Sequence, residues 1–256
     1  MNCRACGGTT CKAFDLHNSR HGIDVPVYRC RTCRAYWSDG GPVDYDAVDL
    51  TGYYMAHAAP IRARYARLFE HLASLREPGR FIDIGAGIGF SVELAAAHGW
   101  QARGLEPNRY LAEHARQRGL DVATGYLDEQ TNGQYDLVLV DNVLEHILHP
   151  LPFLRLAAGL LSDDGLMVVA VPPLDWLRDA LGRSSWVRAR VSRPQLNVFT
   201  EADEHVNMLS RAAMLRLARA AGLRPLPVRF HPSRVYDNPV FRALRLDDGY
   251  YHFTRL

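Results

Sequence analysis

Four cysteines stand as two spaced pairs, Cys3-x2-Cys6 and Cys30-x2-Cys33. Two knuckles of this kind place four thiolates around one tetrahedral zinc ion. The intervening 23 residues (7–29) exceed the usual ribbon spacing of roughly 15–20. That costs little, because loop-closure entropy grows slowly with length. Four protein ligands leave no open coordination position, so the zinc is expected to be structural. Cys11, His17 and His21 read as bystanders. The start, Met1-Asn2-Cys3-Arg4, shows no apolar leader. The expected compartment is therefore the reducing cytoplasm, where thiols hold metal rather than pair as disulfides.

A second cluster lies in Phe81-Ile82-Asp83-Ile84-Gly85-Ala86-Gly87-Ile88-Gly89-Phe90, a strand, a glycine turn and a helix start. Gly85, Gly87 and Gly89 let the backbone turn sharply and approach a ligand closely. The spacing is G-x-G-x-G, not the G-x-G-x-x-G of dinucleotide binding, and the tighter turn suits a carboxylate-bearing nucleoside better than a pyrophosphate. Glu106, in Leu105-Glu106-Pro107, ends the next strand about 20 residues on, where an acid can accept both ribose hydroxyls.

These residues need a scaffold that sets them at strand ends. From residue 80, strands are expected at 80–84, 102–106, 120–124, 135–140, 166–171, 224–230 and 249–254. Helices are expected at 89–98, 108–118, 150–161 and 210–221. Such alternation implies an α/β fold with a largely parallel sheet covered on both faces. Before it, residues 1–40 form the zinc module, with short strands at Val25–Arg29 and Ala35–Trp37, and residues 41–78 form a linker and a helix over Ala56 to Arg76. A module of about 40 residues buries little surface, and a metal supplies the missing stability. The remaining domain is 79–256, with a lid-like insertion at 172–205. The chain of 256 residues is 48% hydrophobic, which excludes wholesale disorder. Its apolar runs are far short of the ~20 residues that span a bilayer. A net charge of +2 predicts no acidic polymer as partner.

The sequence resembles a class I S-adenosylmethionine-dependent methyltransferase. Asp83, Gly85, Gly87 and Gly89 match that family's first motif and Glu106 its ribose acid; Gln134 to His146 matches the fourth strand. The run Val143–His146 with His149-Pro150 resembles the subgroup of ubiquinone-pathway O-methyltransferases, as do Asp163-Asp164-Gly165-Leu166 with Val171-Pro172, and Glu204-His205-Val206-Asn207-Met208-Leu209-Ser210. The resemblance implies a Rossmann-like seven-stranded sheet with an antiparallel last strand, which Gly249–Phe253 suits. It implies S-adenosylmethionine as cofactor, with Leu127, Asp141 and Asn142 joining the residues that bind it. At the end of the third strand, Tyr126 stands where many relatives carry an acid near the adenine.

Methyl transfer from a sulfonium is an in-line displacement, and positioning supplies much of its rate. A hydroxyl acceptor gains from a general base, most often histidine. Two stand out: His146 after the fourth strand, and His205 beside Glu204. The competing readings are a capping histidine and a lid anchor. The resemblance also allows Glu145 to join His146 at a divalent metal, with a salt bridge or cap as its rival. The expected function is O-methylation of a small molecule, such as a natural-product, glycan or lipid precursor. The arginines of the insertion favour an anionic acceptor if they are more than a solvated face. The runner-up is an rRNA methyltransferase that grips RNA with the zinc module; the near-neutral charge and the single lysine, Lys12, weigh against it. Oligomeric state is left open.

Overall fold

The four cysteines and the glycine turn are organised by two sheets. The computed structural model describes residues 2–18, 23–38, 48–172, 205–228, 230 and 249–256. The insertion between Pro172 and His205, and the linker residues 39–47, lie outside them.

The smaller sheet runs β1 (Thr10–Asn18), β2 (Ile23–Cys30), β3 (Tyr36–Ser38), then a distant strand at 207–208. β1 and β2 form an antiparallel hairpin with Thr10 opposite Cys30, which brings the first knuckle against the second. Sequence patterning indicated β2 and β3 but not β1.

The stretch expected as one helix over 56–76 is two: α1 (Thr51–Ala56) and α2 (Ala58–Ala73), broken at His57. α1 thus takes in residues read as linker. Tyr65, Leu68, Phe69 and Leu72 form the buried stripe of α2, packed with Phe81, Leu137 and Val168 of the larger sheet.

That sheet is built from β4 (Arg80–Ile84), β5 (Gln101–Glu106), β6 (Val122–Thr124), β7 (Tyr135–Asp141) and β8 (Leu161–Ala170), with α3 (Phe90–Ala97), α4 (Arg109–Gln117) and α5 (Pro150–Gly159) between them. β9 (Asn207–Met208) belongs to the small sheet. α6 (Arg211–Ala220), β10 (Leu223–Pro225) and β11 (Tyr250–Arg255) complete the larger one. Its order is β10-β11-β8-β7-β4-β5-β6, and β11 runs antiparallel to both neighbours. The seven-stranded sheet with its antiparallel last strand is therefore borne out. β8 starts five residues earlier than expected, and β10 stops at Pro225 rather than running to 230.

β7 and the second half of β8 are continuous apolar runs because helices cover both faces of a parallel sheet. Helix starts carry their own signals. Asn108 caps α4 by accepting from the Tyr110 and Leu111 amides at 3.0 and 3.1 Å, Pro150 opens α5, and Ser210 caps α6 through the Ala213 amide.

One core position carries a pH signature. His252 of β11 is buried, its ring 5.3 Å from that of His71 on α2, which stacks on Phe230. Burial, then the charge of His71, pushes the His252 imidazole down to about 4. A depressed histidine keeps its full contribution above the unfolded-state value of 6.5 and loses it as pH falls through 4. Thermal unfolding of the wild type is expected to drop more steeply over that window than that of His252→Leu; parallel curves would refute this.

Candidate functional site

The strand β4, the glycine turn and α3 set the floor of the site. Gly85, Gly87 and Gly89 all have left-handed backbone, with φ of +86°, +55° and +81°. At Gly87 a Cβ atom would meet the Tyr54 ring at 3.2 Å, and at Gly85 it would collide with Val143. Two sides of the turn are thus closed by α1 and by the segment after β7. Gly89 faces Leu120, Ala115 and Val122 and serves helix packing.

Glu106, at the end of β5, is 6% exposed. Its carboxylate accepts from the Gly87 amide at 2.7 Å and from the Asn108 amide at 2.8 Å. It holds the glycine turn against the start of α4, with its oxygens at the edge of a cavity of about 350 Å³. That volume lies within the range of small-molecule sites. Gly85, Glu106, Leu127, Asn142 and His146 line the cavity together with Tyr54, Tyr126 and Phe153. Asp83, Gly87, Gly89, Asp141 and His205 are not part of this lining. Asp128 lies apart, in a turn with Thr131, so Tyr126 keeps the place that an acid takes in many relatives.

Asp83 is fully buried. One carboxylate oxygen accepts from the Ser91 hydroxyl and the other, Oδ1, has no hydrogen-bond partner. Burial pushes the Asp83 carboxyl up to about 8, Ser91 opposes, and the charges of Asp141 and Glu106 add to the rise. A raised acid contributes stability that is complete below 3.8 and is lost as pH rises through 8. The ligand-free protein should therefore lose thermal stability across that interval, and Asp83→Asn should flatten the slope. A melting profile equally steep in the variant would contradict the assignment.

Sequence reasoning missed Arg64. From α2 its guanidinium pairs with Asp141 at 3.1 Å and donates to the Tyr250 hydroxyl at 3.1 Å. Asp141, buried at the end of β7, thus has a half-buried cation as partner. The only signal in the chain is a polar residue among the apolar positions of a helix, which resembles any solvent-facing arginine. Asn142 follows with left-handed backbone, φ +55°. Asparagine tolerates that conformation, which clusters at functional sites.

After β7 comes a single 3-10 turn, Leu144–His146. The His146 ring lies edge-on to that of His205, 4.8 Å between centroids, and His146 Nε2 is 4.0 Å from Glu145 Oε1. One ligand atom each of Glu145, His146 and His205 lies within 4.8 Å of the others. The two histidines proposed as bases therefore meet; Glu204 is outside the described residues.

In the small module Cys3 Sγ lies 3.6 Å from Cys33 Sγ and Cys6 Sγ 3.6 Å from Cys30 Sγ. All four sulfurs fall within 4.8 Å of one another. Tetrahedral zinc with bonds of about 2.3 Å needs sulfurs about 3.8 Å apart. The Thr32 and Cys33 amides point at Cys30 Sγ, both at 3.4 Å, and Arg34 takes the left-handed turn, φ +64°. The donor set and its spacing fit zinc. Cys11 stands apart and donates to the Arg29 carbonyl at 3.7 Å.

No helix among the described residues is long and apolar enough to cross a membrane.

Known proteins resemble parts of this chain. A ubiquinone biosynthesis O-methyltransferase of Caulobacter sp. (strain K31) is 34% identical over 124 residues, 43% of this chain and 48% of the relative. One of Aeromonas salmonicida is 26% identical over 156 residues, 56% of this chain and 62% of the relative. The chain thus spans about half the length of the curated relatives it matches. Among solved structures, mitomycin 7-O-methyltransferase MmcR superposes with a TM-score of 0.56 at 19% identity, over 83% of this chain and 58% of that one. The plantazolicin methyltransferase BpumL, solved with SAH, gives 0.52 at 13%, over 80% and 87%. Both likenesses are of fold. The family model described as a methyltransferase domain matches residues 55–228, from α1 past β10. The chain belongs to the methyltransferase domain family.

Proposed function

We propose that the protein is an S-adenosylmethionine-dependent methyltransferase that methylates an oxygen of a small-molecule acceptor. The observation that carries this reading is the placement of Glu106: a strand-end carboxylate tied to the Gly87 amide at 2.7 Å and lining the cavity. A carboxylate there repels a pyrophosphate and can accept the hydroxyls of a ribose. S-adenosylmethionine, when bound, supplies a methyl group on a positively charged sulfur.

The chain's own residues then divide the work. Glu106 accepts the ribose hydroxyls, and the Gly85–Gly87 backbone admits the ligand closely. Arg64, held by Asp141 and Tyr250, suits a carboxylate. Leu127 and Tyr126 give the adenine an apolar wall. Phe153 and His146 line the same cavity, at the carboxyl ends of the strands where ligands bind in open α/β sheets. His146 takes the acceptor's proton, and His205 backs it from behind. This moves the base from the His205–Glu204 pair, because His146 is the one that lines the cavity. The small-molecule reading is supported by a cavity of about 350 Å³ and by O-methyltransferase relatives. The chain divides as a zinc module at 1–40, a linker and helices at 41–78, and a methyltransferase domain at 79–256, working in the cytoplasm.

The test is transfer of labelled methyl from S-adenosylmethionine to a panel of phenolic, glycosidic and anionic small molecules beside bulk RNA. Label should enter the small-molecule fraction, and His146→Gln should lower turnover by about 10²–10⁴. Label in RNA, or turnover indifferent to His146, would contradict the proposal.

A further inference from the structure

The short strand β9 has the zinc module on one side and the histidine turn on the other. Toward the module it pairs with β3, Tyr36 opposite Met208 and Trp37 opposite Asn207, and the Ser38 amide donates to the Val206 carbonyl at 3.1 Å. β3 begins three residues after the zinc ligand Cys33. The Ser210 hydroxyl, which caps α6, also donates to the Cys33 carbonyl. Toward the histidines, the Asn207 carboxamide donates through Nδ2 to the Ile147 carbonyl at 2.6 Å and to the Leu144 carbonyl at 3.5 Å. Those carbonyls bracket the turn that carries His146. His205 lies two residues before Asn207.

Neither half is self-supporting. The Leu144–His146 turn is three residues long, and runs of 3-10 helix hold poorly on their own. β9 is two residues long and, among the described residues, pairs with β3 alone, so it takes its position from the sheet it extends. That sheet in turn depends on the four cysteines. Asn207 is 2% exposed, so its amide donors have no water to fall back on; losing them strands the Ile147 carbonyl, while the Leu144 carbonyl keeps the Ile147 amide at 3.3 Å.

We infer that Asn207 is a positioning residue: its carboxamide clamps the His146 turn to the strand that carries His205, and the four-cysteine zinc module holds that strand in place. The metal site thereby sets the spacing of the histidine pair without touching substrate. The inference rests on the proposed reading of His146 as the acceptor-side base.

The experiment uses the full, zinc-loaded chain labelled with 15N-histidine. The ring signals of His146 and His205 are assigned through His146→Gln and His205→Gln, which also give each ring's shift without its neighbour. In Asn207→Ala the mutual ring-current shifts should collapse toward those single-histidine values. Zinc content should be unchanged and affinity for S-adenosylhomocysteine should stay within about threefold. Asn207→Gln, which keeps the carboxamide, should recover part of the shift. Wild-type histidine shifts in folded Asn207→Ala would overturn the clamp. So would an equal disturbance in both variants, which marks a packing role. Should Asn207→Ala fail to fold, Asn207→Ser and stepwise withdrawal of zinc from the wild type by a chelator take its place; histidine shifts that ignore zinc occupancy would overturn the coupling. Absence of S-adenosylhomocysteine binding in the wild type would instead remove the functional reading and leave the histidine shifts to judge the clamp.

Discussion

Glu106→Ala should weaken binding of S-adenosylhomocysteine by about 10²–10⁴. A hydrogen bond to a charged group contributes about 1.5–3 kcal/mol, and a carboxylate accepting two ribose hydroxyls makes two of them. Each 1.4 kcal/mol is a tenfold change in affinity. A second cost adds to the first. The same carboxylate accepts the Gly87 and Asn108 amides, so its removal loosens the turn the ligand must approach. Glu106→Gln keeps an acceptor but loses the charge and should fall between the two. Stability should fall as well, because the buried Gly87 and Asn108 amides lose their acceptor, with relief of the charge on Asp83 offsetting part of the loss. Calorimetric titration of the three proteins, with melting curves on the same samples, checks this; an alanine variant that binds like the wild type would remove Glu106 from the site.

Cys33→Ala is expected to have the larger effect on folding. Cys33 is fully buried, and its sulfur is one corner of the four-thiol cluster. Structural zinc sites contribute on the order of 10 kcal/mol of binding free energy that is also folding free energy. Here the damage would not stop at residue 40. Cys3, Cys30 and Cys33 share one apolar core with Leu144, Leu209 and Met214, so an opened knuckle exposes the flank of α6 and the turn after β7. Bound zinc should fall from about one per chain to near zero, and the melting temperature should drop by about 10 °C or more, since 1 kcal/mol shifts a domain of this size by about 2–4 °C. Cys11→Ser is the control and should leave zinc content unchanged. Metal analysis and melting curves decide: full zinc occupancy in Cys33→Ala would refute the four-thiolate site.

What was legible in the chain was what acts locally. The strand-glycine-helix unit at 80–97 and the strand-end acid at 106 are written in consecutive residues. So are the two cysteine knuckles, which the fold brings within 4.8 Å of one another. The misses are of other kinds. The break at His57 hides inside an unbroken helical pattern. β9 is two residues long, and its partner β3 lies about 170 residues earlier; neither periodicity nor composition records a pairing so short and so distant. Arg64 looked like surface because its partners, Asp141 and Tyr250, come from β7 and β11. His146 and His205 were each singled out, but only the fold shows them edge to edge.

The most direct measurement is calorimetric titration of the wild-type protein with S-adenosylhomocysteine, with metal content determined on the same sample. The account predicts one ligand and one zinc per chain, with a dissociation constant on the order of micromolar. Folded, zinc-loaded protein that takes up no S-adenosylhomocysteine would contradict it, and the glycine turn with Glu106 beside it would then have to serve a different ligand.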